Sequence, residues 1–303
     1  MKNSIAIIGG GGSVGSAVAY ALIVRRVASE VVLVDLDQAR CDAQVLDLSD
    51  AAHLFDTQVR SAPAREAGQC DIVVVCAGAK QRLNESRIDL IGRNKEILGS
   101  VIESMKPFKK ESVLLLVSNP VDVLTHIAQK LSGLPAGQVI GSGTFLDSVR
   151  LRGELAKTLN VAETAVHAYV LGEHGDSQFV AWSSASVGCT PLMSLPQIKA
   201  LDRDALADFV KNKAYRIIEA KGFTQFGIGA VTAQICESII LDLRHVRPLS
   251  HYVEEYGVCI SLPAVLGHKG IQGTLKPPLT EDEEAQLRRS AAELRKGIAA
   301  CGM

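Results

Sequence analysis

A histidine flanked by glycines, in the stretch Gly172-Glu173-His174-Gly175-Asp176, is the side chain in this sequence best suited to acid–base chemistry. The apolar, β-prone residues before it predict that His174 follows a strand, where the backbone can be exposed to a ligand. Histidine has the unperturbed pKa nearest neutrality and so suits proton transfer at working pH. A lone histidine in an apolar neighbourhood is usually a plain core residue, so the rest of the chain must decide.

Three further charged side chains could serve such a histidine. Asp147 and Arg150 are three residues apart in a helix predicted from about Thr144 to Leu159, so they share one face. Arg87 lies in a polar loop that follows a predicted strand. A carboxylate could orient the imidazole, and arginines could bind an anionic substrate. In isolation, a pair such as Asp147 and Arg150 is more often an ordinary surface ion pair.

The N-terminal residues have the pattern of a dinucleotide-binding turn. A buried strand is predicted for Ile5 to Ile8 and a helix from about Ser16 to Arg26. The glycines between them fit the spacing G-x-G-x-x-G, which allows a tight turn, close approach of backbone to a pyrophosphate and close helix packing. A plain tight turn would need the same glycines. The residues expected to bind the cofactor here are Gly10, Gly12, Ser13, Val14 and Gly15.

Asp35 is the acidic residue that completes this pattern. It follows a second buried strand, Val31 to Val34, about 20 residues beyond the last glycine. A carboxylate there can accept the ribose hydroxyls of NAD and would repel the additional phosphate of NADP, whereas the alternative role for Asp35 is a helix cap. The turn at Ala77 and Gly78, after another predicted strand, is also expected to contact the cofactor. The combination predicts NAD.

Strands and helices alternate through about Gly141, which predicts an α/β fold with a Rossmann-type, doubly wound, mostly parallel sheet. In such sheets ligands bind outside the carboxyl ends of the strands, and Asn119 lies at one of these ends. The second half has long helical patterns and strands predicted near 166–171, 179–187, 249–255 and 257–266. We expect an NAD-binding Rossmann domain in residues 1–142 and an α+β catalytic, substrate-binding lobe in residues 143–303.

The composition excludes several other classes of protein. The net charge of −1 and an aromatic content of 4% give no reason to expect binding to nucleic acid or to a membrane surface. Seven scattered cysteines without a C-x-x-C motif argue for free thiols in a reducing compartment, and against a disulfide framework or a structural metal site. The four glycines from Gly9 end the first apolar run too early for a signal peptide. We therefore expect a cytoplasmic protein.

Five motifs give the sequence a resemblance to the L-lactate/malate dehydrogenase family. They follow the order and spacing of that family over nearly the whole chain, and the last two together are the most specific. The motifs are Gly10-x-Gly12-Ser13-Val14-Gly15, Glu85-Ser86-Arg87, Ser118-Asn119-Pro120-Val121-Asp122, Leu146-Asp147-Ser148-Val149-Arg150 and Gly172-Glu173-His174-Gly175-Asp176.

The resemblance implies a role for each polar residue of the site. His174 donates a proton to the substrate carbonyl oxygen as hydride arrives from the nicotinamide, and Asp147 orients it. Arg150 binds the substrate carboxylate, Arg87 closes over the site and polarises the carbonyl, and Asn119 hydrogen-bonds near the reacting atoms. Hydride transfer leaves negative charge on the carbonyl oxygen, so cationic groups are what the chemistry requires.

Gln81 decides which substrate of the family is expected. The resemblance places it opposite the variable end of the substrate, where malate dehydrogenases have an arginine for the second carboxylate. A neutral amide suits the methyl group of pyruvate and would leave a second buried carboxylate without a counter-ion. Thr224 also resembles the lactate-type residue of this pocket. A shift of one residue would instead place Arg82 there and favour oxaloacetate, and Leu83 could shape a pocket for a longer 2-oxo acid.

The expected activity is therefore reversible hydride transfer between NADH and pyruvate. Malate dehydrogenase or a broader L-2-hydroxy acid dehydrogenase is the alternative among enzymes. A catalytically silent NAD-binding protein is the alternative from another class. Such a protein would have no chemical need for the full set of His174, Asp147, Arg150 and Arg87.

Arg152 and His167 raise the question of regulation. From spacing alone both would be solvated surface residues, since Arg152 cannot share a helix face with Arg150. By resemblance they match two positions that bind fructose 1,6-bisphosphate between subunits in allosteric bacterial members of the family, which are homotetramers. The resemblance thus implies a homotetramer, or a homodimer, with this bisphosphate as a candidate effector.

Overall fold

The computed structural model describes residues 3–79 and 87–302 of the chain, and within them every side chain except those of Arg87 and Ile88. The first half alternates strands and helices, as predicted. Its elements are β1 (Ser4–Ile8), α1 (Ser13–Val24), β2 (Glu30–Val34), α2 (Gln38–Ala52), β3 (Gln58–Ser61), α3 (Ala64–Ala67), β4 (Ile72–Val75), α4 (Arg87–Met105), β5 (Val113–Leu116), α5 (Val121–Ser132) and β6 (Val139–Gly141).

Six parallel strands form the doubly wound sheet in the spatial order β3-β2-β1-β4-β5-β6. The chain begins in the middle of the sheet, runs to one edge and then returns to build the other half. The order therefore reverses between β1 and β4, and the connections after these two strands leave the sheet in opposite directions. Such a reversal opens a crevice at the carboxyl ends of the strands, which is where this fold binds a dinucleotide. The predicted fold class is confirmed.

The second half adds helices and mostly short strands. Its elements are α6 (Phe145–Leu159), β7 (Val166–His167), β8 (Val170–Leu171), β9 (Phe179–Val180), β10 (Ser186–Val187), β11 (Thr190–Pro191), α7 (Pro196–Lys199), α8 (Arg203–Lys221), α9 (Phe226–Ile240), β12 (His245–Val253), β13 (Val258–Gly267), β14 (Gly270–Thr274) and α10 (Glu281–Ala300). The helix α10 begins with a complete capping box formed by Thr280 and Glu283, as its sequence indicates.

Two strand predictions for this half were wrong in their extent. The strand expected over 166–171 is two short strands, and the one expected over 179–187 is interrupted by a 3-10 turn at Trp182–Ser184. The interruption has a tertiary cause, because the backbone N–H of Ser183 donates to Glu283 Oε1 at 3.0 Å, at the start of α10. The strand β14 was not predicted at all.

The long strands of the second half extend the first sheet instead of forming their own. Strand β12 pairs antiparallel with β6, where Ser250 lies opposite Gly141, and β13 and β14 continue beyond it. The helices α9 and α10 cover the two faces of the enlarged sheet. The two halves are thus joined by one sheet, and the division at residues 142 and 143 stays a prediction.

Alternate residues of each central strand belong to two separate hydrophobic cores, one on each face of the sheet. In β1, Ala6 and Ile8 face the core covered by α4, α5 and α10, while Ile5 and Ile7 face the core covered by α1, α2 and α9. A strand that is buried on both faces must be apolar throughout, which explains the unbroken apolar runs in the sequence. Across the described chain, each helix is too short or too polar to cross a lipid bilayer.

Candidate active site

The His174 loop is fixed by hydrogen bonds to its backbone from distant parts of the chain. Gly172 has a positive φ of 93° and exchanges two backbone hydrogen bonds with Ser261 of β13. Next along the loop, the N–H of Glu173 donates to the Ser290 hydroxyl of α10 at 2.7 Å. The N–H of His174 itself donates to Asp122 Oδ2 of α5 at 2.7 Å. These contacts hold the loop rigidly under the imidazole.

His174, Asp147 and Arg150 meet as the sequence predicted. The Nδ1 atom of His174 lies 2.7 Å from Asp147 Oδ2, and Nη1 of Arg150 lies 3.2 Å from Asp147 Oδ1. Asp147 is 1% exposed and Arg150 9% exposed at their side chains, so this is not a surface ion pair. The His174 side chain remains 28% exposed, which leaves its other edge open to a ligand.

The electrostatics of this group favour a charged imidazole. Burial by itself would lower the pKa of His174, but the carboxylate of Asp147, through charge and hydrogen bond, and the charge of Asp122 raise it to about 9. The pKa of Asp147 is lowered: its burial would raise it, and the neighbouring His174 and Arg150 outweigh that effect. At neutral pH the pair is therefore an imidazolium and a carboxylate, ready to donate a proton.

Asp122 is a residue that sequence reasoning missed. It was quoted only as part of a motif, yet it is 1% exposed and its carboxylate accepts the backbone N–H of His174. Burial raises its pKa to about 6, against the lowering effect of its hydrogen bonds. A signal was present in the sequence, since an aspartate just after a proline at a helix start is normally a solvated first-turn residue, while the residues around this one are apolar.

The glycine turn fits a pyrophosphate. A Cβ on Gly15 would lie 2.2 Å from the carbonyl oxygen of Gly9, so α1 can start this close to β1 only with glycine there. Gly12 caps α1 without any side chain, and the first turn of α1 contains no acidic residue. The first N–H groups of a helix lack intrahelical partners, so this turn presents donors, without opposing charge, to an anion. The predicted residues Ser13 and Val14 form that first turn.

Asp35 lies directly beside this turn. Its Oδ2 accepts the N–H of Gly11 at 2.9 Å and its Oδ1 accepts the N–H of Asp37 at 3.1 Å. Asp37 is the residue that caps α2, through a bond from the N–H of Arg40. The helix-cap alternative for Asp35 is therefore wrong, and the position at the end of β2 suits a ribose.

A buried amide joins the second cofactor turn to Asn119. Asn94 of α4, 2% exposed, accepts the N–H of Ala79 at 2.7 Å and donates to the carbonyl oxygen of Asn119 at 3.1 Å. The hydroxyl of Ser118 donates to the carbonyl oxygen of Ala77 at 2.6 Å. The predicted residues Ala77, Gly78 and Asn119 thus lie together, and Asn94 is a second supporting residue that the sequence did not reveal.

Some predicted residues are placed less closely or not at all. Thr224 is half-buried in the short connection between α8 and α9. That connection lies near Asp147, because a Cβ on Gly227 of α9 would lie 3.3 Å from Cδ1 of Leu146. The backbone of Arg87 begins α4, but its side chain lies outside the described residues, as do Gln81, Arg82 and Leu83.

Arg152 and His167 line a groove that is separate from this site. The groove has a volume of about 910 Å³ and lies between α6, β7 and β12. Among the described residues, Nε and Nη2 of Arg152 and Nε of Arg247 have no hydrogen-bond partner although they are buried. The two guanidinium groups stack on rings, Arg152 at 5.6 Å from the centre of Tyr169 and Arg247 at 5.1 Å from that of Phe145. Burial lowers the pKa of both arginines. Arg247 was not predicted.

Comparison with known proteins matches this geometry to one family. The model of the lactate/malate dehydrogenase NAD-binding domain matches residues 3–141, and that of the lactate/malate dehydrogenase α/β C-terminal domain matches residues 144–301. L-lactate dehydrogenase A of Rhizopus oryzae is 48% identical over 295 residues, which cover 97% of this chain and 92% of that protein. L-lactate dehydrogenase of Thermus aquaticus is 43% identical over 303 residues, 97% of this chain and 98% of that protein.

Solved structures agree with the sequence relatives. The crystal structure of a lactate dehydrogenase enzyme from a Medee basin deep-sea metagenome library superposes with a TM-score of 0.95 at 35% identity, covering 100% of both chains. The minor L-lactate dehydrogenase of Enterococcus mundtii superposes with a TM-score of 0.93 at 34% identity, covering 98% of both chains. The protein is thus an NAD-binding oxidoreductase acting on a CH–OH group, and the chain belongs to the lactate/malate dehydrogenase family.

Proposed function

We propose that the protein is an L-lactate dehydrogenase, which interconverts pyruvate and L-lactate. The observation that carries this proposal is the buried group of His174, Asp147 and Arg150, with a proton donor and a carboxylate-binding cation in contact with one aspartate. A silent NAD-binding protein would have no use for a desolvated group of this kind, which is costly to bury. The relatives named L-lactate dehydrogenase support the same choice.

In this proposal His174 holds the proton that the reaction consumes. NADH supplies the hydride when it is bound. Because Nδ1 of His174 is engaged by Asp147, the transferable proton is on Nε2, at the exposed edge of the ring. With a pKa of about 9 the imidazolium is the dominant form at neutral pH. It can therefore stabilise the developing oxyanion and then protonate it.

Arg150 binds the substrate carboxylate in this proposal. Only Nη1 is committed to Asp147 among the described side chains, so other guanidinium donors can form two parallel bonds with a planar anion. Asp147 then contacts both the proton donor and the substrate-binding cation. This shared contact fixes the distance between the carbonyl and carboxylate ends of a 2-oxo acid.

A panel of 2-oxo acids tests the proposal. We expect NADH oxidation to be fastest per molar concentration, by kcat/KM, with pyruvate, slower with longer 2-oxo acids and slowest with oxaloacetate. A preference for oxaloacetate would make the enzyme a malate dehydrogenase, and no oxidation with any member of the panel would favour the silent NAD-binding protein.

The residue that selects pyruvate is proposed to be Gln81. Gln81→Arg should move the preference toward oxaloacetate, because the guanidinium supplies the counter-ion that a second carboxylate needs. Arg82→Gln is the matched variant one position along. If Arg82→Gln instead removes an oxaloacetate activity that the wild type has, the substrate contact is Arg82 and the enzyme is a malate dehydrogenase.

We also propose that the enzyme is a cytoplasmic homotetramer that responds to a sugar bisphosphate. The support is the groove, where the buried guanidinium nitrogens of Arg152 and Arg247 lack partners among the described residues and exposed His167 lies close by. Unpaired buried cations repel each other, so a polyanion that neutralises them would favour the form that binds it. The seven free cysteines support a reducing compartment.

Pyruvate saturation curves with and without fructose 1,6-bisphosphate test this regulation. At mildly acidic pH, the bisphosphate should lower the apparent KM by about 5–150-fold, the usual range of allosteric coupling, and raise the sedimentation coefficient. Arg152→Gln should abolish both effects, and Arg203→Gln, at an exposed site elsewhere, should leave them intact. Superimposable curves with unchanged sedimentation would refute the regulation and leave the dehydrogenase proposal untouched.

A further inference from the structure

The catalytic loop has a second carboxylate on its protein side, opposite the one that contacts the imidazole. Asp122 lies in the first turn of α5, 1% exposed, with His174 as its nearest charged neighbour in the loop. Its Oδ2 accepts the N–H of His174 at 2.7 Å, and its Oδ1 lies 3.4 Å from the hydroxyl of Ser261. A neutral side chain could accept the same hydrogen bonds without the cost of burying a charge.

We propose that Asp122 is a positioning residue for His174: its carboxylate anchors the backbone of the catalytic loop and keeps a second negative charge near the imidazole. This inference rests on the proposed role of His174 as the proton donor. It assigns Asp122 to the chemistry through His174, since Asp122 itself is buried and makes no described contact with the cofactor turns.

The charges around the two residues leave room for such an effect. Among the described residues, His174 is influenced by the carboxylates of Asp147 and Asp122, which favour its protonation, and by Arg150, which opposes it. Asp122 in turn is influenced by His174 and Glu173 and lies close to the thiol of Cys259 on β13. With its pKa near 6, Asp122 is charged over the range in which His174 titrates. The charge near His174 is therefore supplied by two residues and not by Asp147 alone.

Asp122→Asn separates the charge from the anchor. The amide keeps an oxygen for the N–H of His174, and its NH2 group can donate to the Ser261 hydroxyl, so the loop should keep its conformation. Removing a charge this close should lower the pKa of His174 by about 1 unit. The imidazole signals of His174, assigned with a His174→Gln variant, measure this pKa by NMR in the enzyme without substrate.

The pH profile of pyruvate reduction gives the second readout. In Asp122→Asn the fall of kcat/KM on the alkaline side should begin about 1 unit earlier, which makes the variant about 10-fold slower at pH 9.5 and close to wild type at pH 6.5. Asp122→Ala loses the anchor as well and should be slower at every pH.

Ser290→Ala is the matched control, because it removes the uncharged acceptor of the neighbouring Glu173 N–H. It should lower the rate without moving the pKa of His174. The inference is overturned if Asp122→Asn leaves that pKa unchanged, or if Ser290→Ala shifts it as much. If the wild type reduces no 2-oxo acid, the proposed function fails by that assay alone, and the NMR titration still decides whether Asp122 acts on His174.

Discussion

The glycine turn and the His174 loop both follow a buried strand, but they are held in different ways. The glycine turn is shaped by contacts between its own residues and their immediate neighbours: the carbonyl of Gly9 packs under Gly15, and the N–H groups of Gly9 and Gly10 both donate to the carbonyl oxygen of Val34. The His174 loop depends on side chains from α5, α6 and α10, which are remote in sequence. The first region binds through backbone, whereas the second acts through a side chain.

This difference predicts different consequences of mutation. In the glycine turn, any added atom meets backbone that cannot move, so the effect of a substitution should be on binding of the cofactor. In the His174 loop, the backbone anchors do not involve the imidazole, so the side chain can be removed while the loop stays in place. Its effect should be on the chemical step.

The largest expected effect is that of His174→Ala. Loss of the proton donor should lower kcat for pyruvate reduction by about 10²–10⁴-fold, the usual contribution of general acid catalysis. The Kd for NADH, measured by fluorescence titration, should change little because the cofactor turns lie on other strands. The exposed His268 provides the control, and His268→Ala should leave both quantities unchanged. An equal loss of NADH binding and rate would assign His174 to structure.

Gly15→Ala should give the opposite pattern. Its Cβ would stand 2.2 Å from a backbone oxygen, so α1 must shift away from the turn that faces the phosphates. Overpacking of this kind costs about 1–3 kcal/mol, which corresponds to a roughly 10–100-fold higher Kd for NADH. A Cβ on Gly92 of α4 meets nothing within 4 Å, so Gly92→Ala is the matched control. Unchanged NADH affinity in Gly15→Ala would mean that the cofactor does not contact this turn.

A smaller effect is expected at Asp35, which links the glycine turn to the choice of cofactor. Asp35→Asn keeps an acceptor for the N–H of Gly11 and removes the charge that would repel a 2′-phosphate. The ratio of kcat/KM with NADH to that with NADPH should fall by about 10-fold, which corresponds to one weakened charged contact. Asp37→Asn removes a charge nearby, at a helix cap, and should not change the ratio. Equal use of both cofactors by the wild type would refute this role.

The same contrast explains what the sequence could predict. Strand order, the glycine turn and Asp35 follow from local spacing and apolar runs, and the structure has them as predicted. The meeting of His174 with Asp147 was expected only through a family resemblance, because 27 residues separate them. Asp122, Asn94 and Arg247 were missed, since a buried polar side chain has no local pattern that distinguishes it from a solvated one.

The arrangement of the second half was also beyond local reasoning. Nothing in the residues of β12 indicates that it pairs with β6 across more than a hundred residues of chain. Similarly, the break in the strand predicted over 179–187 depends on Glu283, which binds Ser183 from the start of α10. Period and propensity describe one segment at a time, and these features depend on two.

The pH dependence of kcat/KM in the wild type tests the central claim most directly, because this ratio reports the ionisation of the free enzyme. With the pKa of His174 raised to about 9, pyruvate reduction needs the protonated form and should stay level up to about pH 8, then fall about 10-fold per unit above pH 9. L-lactate oxidation needs the neutral form and should rise with pH until the same point. An inflection near the ordinary histidine value of about 6.5, or level profiles through pH 10, would contradict a proton donor held by Asp147.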